Sequence, residues 1–119
     1  KMILPVELLG LSKTKNTVII DIRAEPEYNS KSTNPWKNVG KLKNAVNIPL
    51  AELTKEKMAN YSGKTIVIYD MMMKEELYKY AKRLKEYSVK DYYLLVGGIN
   101  QLKEGIYDYQ KTELKSLLD

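Results

Sequence analysis

The chain has 119 residues, about the size of one domain, and its 44% hydrophobic and 29% charged residues exclude wholesale disorder. Cysteine and histidine are both absent. That removes disulfides, thiolate metal sites, a cysteine nucleophile and the commonest general base, and so most hydrolase triads, zinc sites and haem sites. The net charge of +5 admits acidic partners, but only Arg23 and Arg83 among 20 basic residues are arginine, so no nucleic-acid surface is expected. No apolar run reaches the ~18 residues that a membrane span needs. The absence of cysteine suits either redox compartment and assigns none. The opening lysine suggests a piece of something longer, and the first residues do not read as a signal peptide.

In chain order, Met2-Ile3-Leu4 is a candidate edge strand. Pro5 then starts a helix whose apolar side is Val6, Leu8, Leu9 and Leu11, with Gly10 near its end. Val18-Ile19-Ile20 reads as a buried strand. From Asn29 to Asn44 the chain is irregular and carries Lys31, Lys37, Lys41 and Lys43 with no acid among them. The same stretch holds Pro35 and the only tryptophan, Trp36. Irregular stretches this long are uncommon in compact domains and often functional.

Ala45 to Ile48 is a weaker strand candidate, and Leu50 to Met58 is expected to be a helix. Ile66-Val67-Ile68-Tyr69 is a second clear strand. Glu75 to Tyr87 is the clearest helix, with Leu77, Tyr80, Ala81 and Leu84 in one stripe and charges that match its dipole. Tyr92 to Val96 is the third clear strand. Gly97-Gly98 opens a short segment to Gly105, and Leu114, Leu117 and Leu118 lie on one face of a candidate last helix. Strands alternating with helices, and lacking strict apolar alternation, predict one α/β domain with a parallel sheet covered on both faces.

Ligands of open α/β sheets bind beyond the carboxyl ends of the strands, which here are Asp21, Asp70 and Gly97. An aspartyl-nucleophile phosphatase needs Asp-x-Asp, but Ile22-Arg23 follows Asp21 and Met71-Met72 follows Asp70. A response-regulator receiver needs an acidic pair, and none precedes Asp21. A phosphate loop needs glycines, and Asp70-Met71-Met72-Met73-Lys74 has none.

From about Pro5 to Gly105 the chain resembles the rhodanese-like domain family. Val18 to Arg23, followed by Glu25-Pro26-Glu27-Tyr28, looks like that family's strand ending in Asp-Val-Arg and its Pro-Glu-Glu-Tyr turn. Gly40 to Leu50 looks like its Gly-His-Ile-Pro-Gly-Ala-Ile-Asn-Ile-Pro stretch. Ile66 to Asp70 resembles the strand leading into the active-site loop, and Leu95 to Ile99 the late Gly-Gly-Ile turn. The resemblance implies a five-stranded, mostly parallel sheet flanked by helices, spanning 1–119 as a single domain with a basic insert at about 29–39. It implies sulfur transfer through a cysteine thiolate at the end of the central strand, cradled by loop N–H groups. Beside the resemblance, Asp21, Arg23 and Glu27 read as structural, two carboxylates and a guanidinium that lock strand to helix, with anion attraction as the alternative, and Gly97-Gly98 suits a tight strand-to-helix passage.

This sequence departs from the family where the chemistry sits. Asp70 takes the cysteine's position, or Met71 does if the loop is one residue longer, and neither can form a persulfide. The loop Asp70, Met71, Met72, Met73, Lys74 and Glu75 is therefore read as a degenerate active-site loop with no catalytic residue. Asp70 is expected to cap the helix or to accept the loop's N–H groups, and a role as nucleophile or base stays open. The methionines are expected to fill the vacated pocket or to offer a soft contact surface. Trp36 and Lys37, with Lys31 and Lys41, are the candidate docking residues for an acidic protein partner. The expected function is a catalytically inactive binding or regulatory module, with no cofactor, metal, nucleic acid or membrane. The alternatives are a sulfurtransferase- or phosphatase-type enzyme using other residues, or a purely architectural domain of a longer chain.

Overall fold

The computed structural model describes residues 1–14, 16–104 and 116–119. Its strands are β1 (Met2–Ile3), β2 (Thr17–Asp21), β3 (Val46–Asn47), β4 (Thr65–Tyr69) and β5 (Tyr92–Leu95). They form one sheet in the order β1-β5-β4-β2-β3, and every pairing is parallel. The connections from β2 run outward to β3, and those from β4 run the other way to β5. The direction of winding therefore reverses between β2 and β4, where the register sets Asp21 beside Tyr69.

The helices are α1 (Pro5–Leu11), α2 (Glu25–Tyr28), α3 (Lys55–Ala59), α4 (Glu75–Glu86) and α5 (Gly98–Glu104). Alternate residues of the central strands enter two separate cores, the pattern expected of a sheet covered on both faces. Ile19, Val67, Tyr69 and Leu95 pack with Leu8 of α1 and with Ile99 and Leu102 of α5. Ile20, Ile66, Ile68 and Leu94 pack with Met58 of α3 and with Leu77, Tyr80 and Leu84 of α4. The i, i+3, i+7 stripe of α4 is thus its buried face.

Two expectations are corrected. Leu50 to Met58 is not one helix: a 3-10 turn at Leu50–Glu52 ends at Leu53, whose backbone is extended, and α3 starts afresh behind Thr54. The Thr54 hydroxyl accepts the Lys57 N–H at 3.1 Å, a side-chain cap that fixes the new start. In the tail, Leu114 lies outside the described residues, while 116–119 are a turn and an antiparallel bridge from Leu118 to Leu42 rather than a helix.

Candidate functional site

The ends of β2 and β4 are tied by a buried polar knot. Arg23 Nη2 meets Asp21 Oδ2 at 2.6 Å, with both side chains almost wholly hidden from water. Arg23 Nε donates to both Asp21 oxygens, and Nη2 also donates to the Gly40 carbonyl at 2.7 Å. The Tyr69 hydroxyl donates to Asp21 Oδ2 at 2.6 Å and accepts the Leu42 N–H at 3.1 Å. Burial, reinforced by the Asp21 charge, pushes the Tyr69 hydroxyl's pKa far up, so it stays a donor. Breaking a buried pair of this kind by removing one partner costs about 3–5 kcal/mol.

Asp70 follows β4 directly and is 6% exposed. Its Oδ1 accepts the Met73 N–H at 2.6 Å and its Oδ2 the Lys74 N–H at 2.7 Å. The loop's inward N–H groups therefore point at the chain's own carboxylate. Burial raises the Asp70 pKa, while the Lys74 and Met73 amides pull it down. With no glycine available, Met73 itself takes the left-handed backbone, φ 62°. Met71 is buried in the core with Tyr69 and Ile99, Met73 is half-buried against the opposite core, and Met72 is 45% exposed. Two methionines turn inward and one faces water, so the two readings of the triplet divide by residue.

Gly97 and Gly98 both have positive φ. A Cβ on Gly98 would lie 2.5 Å from the Met71 carbonyl oxygen, so only glycine lets α5 come this close. The N–H groups of Ile99 and Asn100 then donate to the carbonyls of Asp70 and Met71, both at 3.0 Å. The helix thus clamps the loop from behind.

The basic stretch is a hydrogen-bonded loop. Asn38 and Ser32 exchange two bonds, at 2.8 and 3.0 Å, and Pro35–Lys37 is a 3-10 turn. This turn carries Trp36 to the mouth of a cleft of about 450 Å³ between the ends of β2 and β4. The ring is 55% exposed, with Lys37 Nζ 5.3 Å and Lys74 Nζ 5.7 Å from its centroid. Cation–π contact so joins the insert to the loop after β4.

The structure brings Arg23, Glu27, Trp36, Lys37, Asp70, Met71, Lys74 and Glu75 into this one cleft. It leaves Lys31 and Lys41 out. Lys41 lies over the Tyr28 ring at 4.6 Å and 4.0 Å from Asp119. Glu27 does not belong to the strand-to-helix lock: its side chain makes no ion pair or hydrogen bond among the described residues, although it lines the same cleft as Arg23. Sequence reasoning missed Tyr69, which read as an apolar strand residue, and Glu76, which also lines the cleft. The register of β2 against β4 is the signal that would have paired Tyr69 with Asp21. Among the described residues no three acidic groups converge as a metal site, and no helix is long and apolar enough to cross a membrane.

A parallel sheet with helices on both faces, its cleft at the winding reversal and a loop of inward N–H groups after the central strand, defines an open α/β domain. The rhodanese-like domain profile matches residues 4–104, and the chain belongs to that family. No curated protein sequence matches it. Among solved structures, a Bacillus halodurans protein superposes with a TM-score of 0.68 at 17% identity, covering 87% of this chain and 73% of that one. A Rhodopseudomonas palustris protein of unknown function, titled a possible tyrosine phosphatase, gives 0.60 at 18% identity, covering 83% and 76%. A Lactobacillus plantarum protein gives 0.58 at 22% identity, covering 87% and 82%. At these identities the likeness is one of fold.

Proposed function

We propose that this chain is a rhodanese-like domain that binds a partner and does not transfer sulfur. One observation carries the reading: the Asp70 carboxylate sits at the end of the central strand and takes up the loop N–H groups of Met73 and Lys74. Those groups are then occupied, and the fixed negative charge repels a second anion. A chain without cysteine also has no thiol to carry a persulfide. Turnover assays with thiosulfate and cyanide, and with an aryl phosphate, are expected to show no activity above buffer. Enzyme-dependent turnover in either would overturn the reading.

The docking face is the insert. Trp36 is large, exposed and flanked by cations, the make-up of an interface anchor for an acidic partner. The proposed docking set is Trp36 and Lys37 with Lys74, which share one cleft, while Lys31 and Lys41 lie outside it. The probe is a fluorescein-labelled polyglutamate peptide followed by anisotropy. Trp36→Ala with Lys37→Glu should weaken its binding by more than ~1 kcal/mol, about fivefold, with the melting temperature unchanged. Equal affinity for both proteins would remove the insert from the interface.

A further inference from the structure

A second hollow, of about 430 Å³, lies at the opposite end of the sheet, beneath the starts of β4 and β5. Met58 and Ile66 are buried at its floor, beside half-buried Val89. The rings of Tyr61 and Tyr87 are half-buried at its sides. Lys55, Lys64 and Lys90 stand exposed around it, one from each of three separate segments.

The three lysines are unmatched. Among the described residues, none of them forms an ion pair or lies over an aromatic ring. The one acid at the hollow among the described residues, Asp91, accepts the Thr65 hydroxyl at 2.6 Å. The helix ends nearby do not call for the lysines either. The last carbonyls of α3 and α4 accept the N–H groups of Asn60, Tyr61, Tyr87, Ser88 and Val89. Three free cations around an apolar floor are complementary to carboxylates that flank an apolar side chain.

We infer that this hollow docks an acidic peptide segment of a partner protein, with one aromatic or aliphatic side chain on the Met58–Ile66 floor and carboxylates against the lysines. The pairing of an apolar floor with lysines from three separate segments favours a peptide over a small anion, since a peptide carries several carboxylates beside an apolar side chain and a small anion does not.

The test uses a fluorescein-labelled nine-residue peptide of glutamates around a central phenylalanine, followed by anisotropy. It is run on the Trp36→Ala, Lys37→Glu variant, so the insert and its fate play no part. Saturable binding is expected. Lys64→Glu with Lys90→Glu should weaken it at least tenfold, and replacing the peptide's phenylalanine by serine should do the same. Should the double glutamate fail to fold, Lys64→Gln with Lys90→Gln serves in its place, with a several-fold loss expected. No binding, or binding indifferent to the lysines or to the phenylalanine, overturns the inference. Displacement by free phenylpropionate at the concentration at which unlabelled peptide displaces also overturns it, since the occupant would then be a small carboxylate.

Discussion

Replacing Asp70 by asparagine keeps the side chain's size but turns one acceptor oxygen into an NH2 group. That group would face the N–H of Met73 or of Lys74, both of which now end on a carboxylate oxygen. A buried donor left unsatisfied costs about 1–3 kcal/mol, so Asp70→Asn should lower the unfolding free energy by roughly that amount at neutral pH. The loss should shrink or grow with pH in a fixed direction. Burial raises the Asp70 pKa in the folded chain, so the native state holds this proton more tightly than the unfolded chain does. The stabilisation from that proton is full below the unfolded value of about 3.9 and is gone once pH passes the raised folded value. Urea unfolding across that window should show the wild-type advantage over Asp70→Asn declining as pH rises. An advantage that grows with pH would mean that the hydrogen bonds outweigh burial. At this scale the sequence was partly legible. Asp21 with Arg23, and Asp70 as acceptor of loop N–H groups, follow from residue type and place. Glu27 and Tyr69 did not, because a carboxylate beside a guanidinium in sequence need not touch it, and a tyrosine in an apolar strand hides its hydroxyl.

Among the elements, α4 shows how local chemistry sets a boundary. Its stripe of Leu77, Tyr80 and Leu84 made the helix readable, and its end is fixed by Ser88 in the left-handed region, φ 65°. The Ser88 N–H donates to Lys85 and the Val89 N–H to Leu84, the paired bonds of a Schellman stop. An exposed serine there carries a backbone cost that glycine lacks, so Ser88→Gly should raise stability by about 1 kcal/mol, read as a higher melting temperature. An unchanged or lower melting temperature would show that the strain is already relieved. The missed break at Leu53-Thr54 has the same kind of cause in reverse. Apolar spacing from Leu50 to Met58 is compatible with a helix, and only the threonine cap reveals that a new one starts. The approach of Trp36 to Lys74 had no local signal at all, since it depends on how a 3-10 turn in the insert folds back over a loop distant in sequence.

For the molecule as a whole, alternation of strands and helices was enough to predict a parallel α/β sheet, but periodicity says nothing about strand order. The family resemblance implied five strands, mostly parallel, and the sheet bears that out, while the order β1-β5-β4-β2-β3 is known only from the structure. Both edges of the sheet, β1 and β3, are two residues long, which leaves little open ladder for unwanted pairing with another chain. The two hollows sit at opposite ends of this sheet, one with Asp70 at its base and one ringed by lysines. A partner bound at one end would leave the other accessible.

The place of β1 also sets an order of events during synthesis. Among the described residues its only partner is β5, through Met2 with Leu94 and Ile3 with Leu95. Because β1 precedes the other four strands in the chain and β5 follows them, β1 must wait for β5 to be made before it has a strand to join. Until then Met2, Leu4 and Val6, still exposed in the finished fold, have no sheet to lie beside. The inner trio β2, β3 and β4 assembles from nearer neighbours, so the sheet closes from the middle outward and β1 is added late.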